Sequence, residues 1–463
     1  MKERWKKIGI IGIWILLWQI LATAINNVFY FASPVSVAVE LWHLAKTTEF
    51  WLSIYHSLIR ILGGFFIAFI LGILVAFLAC RCKILKELLE PFVNLLKSVP
   101  VAAVVVVLLI WFGSRWLVLC VTFMVVFPNV YFSVWEGLMQ VDVQMKEVAL
   151  VFRIPWWNRL LYLYRMAVCP YLLNSVRICI GMSFKSGVAA EIIGLPENSM
   201  GEALYGAKIY LNTAGVFAWT IVIIGLSTFL EKILEKGLKW LGEKEITPKV
   251  RNSSKREREN VSKIQLHQIS KSYGEHSIFA HWDQTFEAGN SYCIVGESGC
   301  GKTTLLRIIA GLDSVTDGTV NQYNSIGMVF QESRLLLNMS AKTNLLFAGC
   351  SLDVIPAIKE VLPVEAWEKP LREYSGGMLQ KIAILRALYS DSGILLMDEP
   401  FSGMDEENRK VMIRYIKKHQ EGRTLLVVTH NAKDAILLEA ELIELRQEER
   451  SGNQNCINRN YRK

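Results

Sequence analysis

Gly296-Glu-Ser-Gly299-Cys-Gly301-Lys302-Thr303-Thr304 is the stretch that decides how the chain is read. It fits G-x-x-x-x-G-K-[ST] at every fixed position, the pattern of a loop that cradles phosphates. The apolar run Tyr292-Cys-Ile-Val295 leads in and Leu305-Leu-Arg-Ile-Ile-Ala310 leads out. The context is therefore strand, loop, helix, as the motif requires. Glycines let backbone amides curl around an anion where a Cβ would stand in the way. The helix that follows begins with unpaired N–H groups and a partial positive charge. The expected cradle is Gly296, Glu297, Ser298, Gly299, Cys300, Gly301, Lys302, Thr303 and Thr304. Lys302 would reach the β- and γ-phosphates, and the Thr303 hydroxyl would hold Mg²⁺.

Around this loop the chain is of two compositions. With 463 residues it is long enough for two or more domains. Hydrophobic residues make up 52 % and charged residues 20 %. Nearly all long uncharged runs lie in the first half, and the second half has an ordinary globular mixture. The formal net charge is +8. Lys and Arg cluster beside the apolar runs, without the aromatic interleaving of single-strand binders, so membrane lipid and not nucleic acid is the expected partner. The nine cysteines are scattered, with no C-x-x-C pair, and read as reduced thiols.

A membrane crossing needs about 20 apolar residues. Residues 8–25, 61–80, 88–112, 116–135, 166–194 and 216–230 supply six candidates. The first could be a signal core but is long for one, and reads as a retained anchor. Basic residues recur at Lys2 to Lys7, Arg81 to Lys86, Lys146 to Arg165 and Lys232 to Lys239. By the positive-inside rule these places are cytoplasmic, and so are both termini. Arg177 and Lys185 sit in an apolar run, where a charge is costly. Pairing with Glu191, or reaching to a membrane interface, is the first expectation. A polar path on which Lys185 attracts an anionic solute is the sharper one.

The cytoplasmic loop 142–171 reads Glu147-Val-Ala149-Leu-Val-Phe-Arg153-Ile-Pro-Trp156-Trp157. It resembles the "EAA" loop of type I ABC importer permeases, in which a short helix docks on the ATPase and transmits its motion. Glu147 and Ala149 match. The family's glycine after that helix falls at Arg153, where a left-handed turn costs a non-glycine residue about 1 kcal/mol.

The second half resembles ABC transporter ATPases over residues 264–445. Runs at 291–295, 326–330, 394–398 and 424–429 alternate with helices, which predicts a parallel sheet. The resemblance implies a role for each matched residue. Tyr273 would stack on adenine. Gln331 would touch Mg²⁺ and the attacking water. Ser375-Gly376-Gly377 would contact the γ-phosphate, although Tyr374 and Met378 depart from the family's LSGGQ. Asp398, ending Leu395-Leu-Met-Asp398, would complete the metal shell, and Glu399 would orient or deprotonate water. Asp405, in Ser402-Gly-Met-Asp405, would speak across a dimer interface, and His430 would bond the γ-phosphate. Peripheral strands near residues 318–325 look trimmed.

The expected architecture is an α-helical transmembrane permease domain at 1–240 and a linker at 241–263. An α/β P-loop ABC ATPase at 264–450 and a tail at 451–463 follow. Ala189-Ala-Glu191-Ile-Ile-Gly194 looks like permeases of the nitrate, sulfonate and taurine group, which includes importers of thiamine-pyrimidine precursors. The implied activity is ATP-driven import of a small polar or anionic organic solute across the cytoplasmic membrane. A homodimer would form two composite sites for ATP and Mg²⁺, and a separate binding protein would deliver the solute. The alternative is a membrane-anchored ATP-dependent switch that moves no solute. An exporter is disfavoured by the short cytoplasmic loops.

Overall fold

A computed structural model of the chain describes residues 2–243, 263–450 and 453–460, except positions 26, 28, 275, 322–324, 352–354 and 364–366. Two compact units emerge. One comprises Met1–Gln140 with Tyr164–Lys244, and the other Val141–Leu163 with Glu245–Lys463.

The first unit is helical. Its elements are α1 (Lys2–Ile25), α2 (Pro34–Ala45), α3 (Thr48–Arg81), α4 (Lys83–Ser98) and α5 (Val101–Met139). Four helices among the described residues are long and apolar enough to cross a membrane: Thr48–Arg81, Val101–Met139, Trp156–Gly194 and Thr213–Gly242. The span expected over 88–112 is not one helix. α4 ends at Ser98 before Pro100, since the residue ahead of a proline avoids the helical region. The remainder starts α5, which breaks at Gly113 with φ 68° and ψ 174°.

α3, α5 and the helix ending at Gly194 share one core around Ile61, Phe65, Val121, Val130, Ile180 and Phe184. Small residues allow this. A Cβ at Gly64 would lie 2.7 Å from the Leu119 carbonyl, so α3 and α5 meet backbone to backbone there.

The expected pairing of Arg177 or Lys185 with Glu191 does not occur. Arg177 pairs with Glu235 of the last helix in this unit at 2.5 Å, and Lys185 is exposed. Glu191 is fully buried and faces Arg60 of α3 at 4.0 Å. Helical spacing decides this, because the side chains turn to different neighbours along one long helix.

The second unit opens with α6 (Val143–Val151) and α7 (Trp156–Arg159), followed by a π turn at Leu160–Tyr164. The chain returns to the first unit with α8 (Arg165–Gly194), α9 (Met200–Ile209) and α10 (Thr213–Glu243). Residues 241–243 of the expected linker continue α10, and 244–262 lie outside the described residues.

The chain then builds two sheets. β1 (Ile264–Tyr273), β2 (His276–Phe286) and β4 (Asp317–Val320) form an antiparallel sheet of order β2-β1-β4. β3 (Ser291–Gly296), β5 (Ile326–Val329), β6 (Ile394–Asp398), β7 (Thr424–Val428), β8 (Glu441–Arg450) and β9 (Asn453–Asn460) form the other. Its order is β5-β6-β7-β3-β8-β9, parallel except for β9. The four expected strands are its contiguous run β5-β6-β7-β3, with β5 at one edge. Strands covered on both faces read as continuous apolar runs, and β6 and β7 are buried at every position. The stretch expected as a tail carries β9, which pairs with the outer edge of β8. The covering helices are α11 (Lys302–Ile309), α12 (Ala341–Phe347), α13 (Ile355–Ile358), α14 (Gly376–Leu388), α15 (Glu406–His419) and α16 (Lys433–Leu438).

Candidate functional site

β3 lies between β7 and β8 in the middle of the parallel sheet. Its carboxyl end delivers the 296–304 loop to the edge where open α/β sheets bind ligands. Gly301 caps α11 with φ 96°, and a Cβ there would lie 2.5 Å from the Ile278 side chain. Glycine is required at this position on both counts. Lys302 is the first residue of α11 and is 6 % exposed. Its Nζ donates to the carbonyls of Gly296 at 2.8 Å and Glu297 at 2.7 Å, which draws the ammonium into the curl of the loop.

β6 and β7 bring the acidic and imidazole groups to the same edge. Asp398 ends β6 and is 2 % exposed. The Thr303 hydroxyl hydrogen-bonds it, while burial pushes its carboxyl above the usual range. Its Oδ1 is buried with no hydrogen-bond partner. A buried carboxylate oxygen left open beside a hydroxyl suits a hard cation. No cluster of three or more His, Cys, Asp or Glu able to hold a metal occurs among the described residues. A cation here would therefore complete its shell with phosphate oxygens and water. The residues fit Mg²⁺ in that sense.

Glu399 follows with φ 46°, its backbone N–H held by the Val428 carbonyl at 3.0 Å. The turn carries its carboxylate to His430, with Glu399 Oε1 and His430 Nε2 at 2.6 Å. Behind them the Thr429 hydroxyl donates to Asp434 at 2.6 Å, and Arg409 pairs with the same carboxylate. Gln331 is exposed beyond β5, the strand beside β6. The Tyr273 hydroxyl donates to Asp313 Oδ2 at 3.0 Å.

A second group stands at the starts of α14 and α15. Ser375 is the N-cap residue of α14, followed by Gly376 and Gly377. Asp405 caps α15, accepting from the backbone and side-chain nitrogens of Asn408, both at 2.7 Å. Those bonds hold its carboxyl below the usual range.

Comparison with known proteins divides the chain into two matched regions, and the N-terminal one includes the 141–163 segment that packs with the second unit. Residues 279–402 match the ABC transporter family model. Residues 68–236 match the model for the inner membrane component of binding-protein-dependent transport systems. The chain joins an ABC transporter domain to a transport permease domain.

The ABC domain is 34 % identical over 186 residues to the aliphatic sulfonates import ATP-binding protein SsuB 1 of Paraburkholderia xenovorans, covering 38 % of this chain and 55 % of that one. It is 32 % identical over 212 residues to the spermidine/putrescine import ATP-binding protein PotA of Haemophilus influenzae, covering 41 % and 57 %. The chain spans just over half the length of these curated relatives. The dimeric structure of MJ0796, a bacterial ABC transporter cassette, aligns at 27 % identity and TM-score 0.38, covering 43 % of this chain and 99 % of that one.

The segment 141–163 packs as part of the ABC unit. α6 ends in a Schellman turn. Ile154 N–H bonds the Ala149 carbonyl at 3.0 Å, and Arg153 N–H bonds that of Leu150 at 3.1 Å. Arg153 takes the left-handed position with φ 47°. The turn expected for glycine is therefore kept with arginine in it.

Glu147 of α6 receives two guanidinium groups. Arg307 Nη2 lies 2.8 Å from Oε1, and Arg334 Nη1 lies 2.5 Å from Oε2. Both hold the Glu147 carboxyl below the ordinary range, Arg307 most strongly. Arg307 also bonds Asp313 through Nε at 2.8 Å. An unbroken set of polar contacts thus runs Tyr273, Asp313, Arg307, Glu147. Beside it, Gln144 donates to Glu332 at 2.6 Å.

Sequence reading did not pick out Arg307, Arg334 or Arg386. Their signal was weak but present. Arg307 and Arg386 each interrupt an apolar helical run, Leu305-Leu-Arg-Ile-Ile and Ile384-Leu-Arg-Ala-Leu.

Proposed function

We propose that this chain is an ATP-driven importer for a small polar or anionic organic solute, working as a homodimer in the cytoplasmic membrane with both termini in the cytoplasm. One observation carries the reading: Glu147 of the permease-type loop is ion-paired to Arg307, five residues beyond Lys302 on the helix that starts at the phosphate loop. A membrane component and an ATPase with no shared task would have no use for that contact. The relatives' names, import of aliphatic sulfonates and of spermidine or putrescine, support import in general. The Ala189-Ala-Glu191-Ile-Ile-Gly194 stretch favours the nitrate, sulfonate and taurine group.

Each side chain has a task in this reading. The 296–304 amides and Lys302 bind the β- and γ-phosphates of ATP. Thr303, Asp398 and Gln331 hold Mg²⁺, which when bound offsets the charge of the phosphate oxygens. Glu399 orients or deprotonates the attacking water, and His430 fixes Glu399 and bonds the γ-phosphate. Tyr273 stacks on adenine. Ser375, Gly376, Gly377 and Asp405 serve the nucleotide held by a second copy. The membrane-crossing helices of each chain would make the path, and a separate extracytoplasmic binding protein would load it.

The test is the full chain in lipid nanodiscs with Mg-ATP and with the fluorescent analogue TNP-ATP. Lys302→Ala is expected to lose both nucleotide binding and hydrolysis, with turnover down about 100-fold or more. Hydrolysis that survives Lys302→Ala would end the proposal.

A further inference from the structure

Arg386 is the largest fully buried side chain among the described residues, and no role above uses it. It lies on α14, the helix that begins at Ser375-Gly376-Gly377. A buried charge must be held by several partners or it destabilises the fold. Arg386 finds its partners outside its own helix. Nη1 donates to the Arg334 carbonyl at 2.6 Å and Nη2 to the Ser333 carbonyl at 3.3 Å. The guanidinium also lies 5.1 Å from the centre of the Phe152 ring, at the C-terminal cap of α6. Its Nε is buried with no partner.

Both carbonyls belong to the loop that begins at Gln331. Arg334 has φ 43°, a strained value for a non-glycine residue, and it is the residue whose side chain reaches Glu147. Arg334 also stacks on Phe330, 4.1 Å from the ring centre. Arg386 therefore grips the backbone of a strained loop at the point where that loop pairs with α6. One guanidinium ties together the Ser375-Gly-Gly helix, the Gln331 loop and the permease-type α6.

We infer that Arg386 is a positioning residue that makes these three elements move as one, so that a change at Ser375-Gly-Gly is passed to Gln331 and to α6 together. The inference rests on the proposed function. The guanidinium of Arg386 bonds backbone carbonyls and no residue assigned above to the nucleotide or the metal. Its planar fork bonds two adjacent carbonyls at once, which lysine cannot reproduce.

The experiment uses the full chain in nanodiscs with Mg-ATP and TNP-ATP. Arg386→Lys keeps the charge without the fork, a thermal melt checks that the variant is folded under the assay conditions, and it is compared with Phe152→Leu and with the double variant. For Arg386→Lys the expected result is kcat down about tenfold or more, as a misplaced loop gives, with KM and TNP-ATP affinity within about twofold of wild type. The double variant is expected to lose little beyond the worse single one, because both act on one linkage. The inference is overturned if Arg386→Lys keeps wild-type kcat. It is also overturned if kcat and TNP-ATP affinity fall together, or if the two losses in kcat multiply. A wild-type chain that neither binds TNP-ATP nor hydrolyses ATP would fail the functional reading instead.

Discussion

At the residue scale the sequence spoke most clearly where backbone geometry demands one residue type. The 296–304 glycines and Lys302 stand where the motif placed them, since no other residue suits φ 96° with a neighbour 2.5 Å from the missing Cβ. Arg153 was legible in the reverse sense. The pattern asked for glycine, and the structure keeps the left-handed turn regardless. The partners of Glu147 were not legible. Its resemblance to a docking residue was visible in the loop, but Arg307 lies 160 positions away and Arg334 lies 187 away.

Those partners fix a pH dependence. The folded carboxyl is held below the unfolded value of about 4.3, so its contribution to stability is fully present above that value. It is lost as pH falls through the folded value. A thermal melt series taken from about pH 6 down to about pH 2.5 is expected to drop more steeply for wild type than for Glu147→Gln below about pH 4.3, as the folded carboxyl protonates. Parallel profiles would remove the ion pairs from the account.

Elements followed from periodicity where one environment acted on them. The centre of the parallel sheet was legible because each strand is apolar and bounded by turn residues. The span expected over 88–112 was not, because counting apolar residues ignores the break that Pro100 and Gly113 impose. α9 shows what else composition hides. Ten residues are too few for a helix to be stable alone. Three of its first amides are taken by side chains: Met200 N–H by Ser57, Gly201 N–H by Glu191 and Glu202 N–H by Ser199. Two of those acceptors come from α3 and α8. Glu191→Ala would leave the buried Ser57 hydroxyl and the Gly201 amide without their acceptor, at a cost of about 1–3 kcal/mol. The expected outcome is a lower melting temperature and faster proteolysis at residues 195–212, whereas Glu191→Gln, which still accepts from Gly201, stays close to wild type. Equal behaviour of the two variants would show that this carboxylate does not anchor α9.

At the scale of the whole molecule, the arrangement of motifs makes its own demand. One chain carries one phosphate loop and one Ser375-Gly-Gly. In the proposed mechanism the nucleotide sits between the loop of one copy and the Ser375-Gly-Gly of another, so a single chain has no complete site. Glu399 is the group whose loss should leave binding intact while stopping turnover. Its amide analogue keeps the size of the side chain and cannot take a proton from water. With Mg-ATP, Glu399→Gln is expected to lower hydrolysis about 100-fold or more. It should also shift the chain from a protein mass of 52.6 kDa to twice that value by light scattering in detergent. ADP should not produce the shift, because the γ-phosphate is what Ser375-Gly-Gly would meet. A second substitution, Ser375→Arg, should abolish the shift even with Glu399→Gln present, since it blocks the opposing half of each site. A variant that stays at the single-chain mass, or a wild-type single chain with full turnover, would mean that each copy completes its site alone and that the sandwich is not how this molecule works.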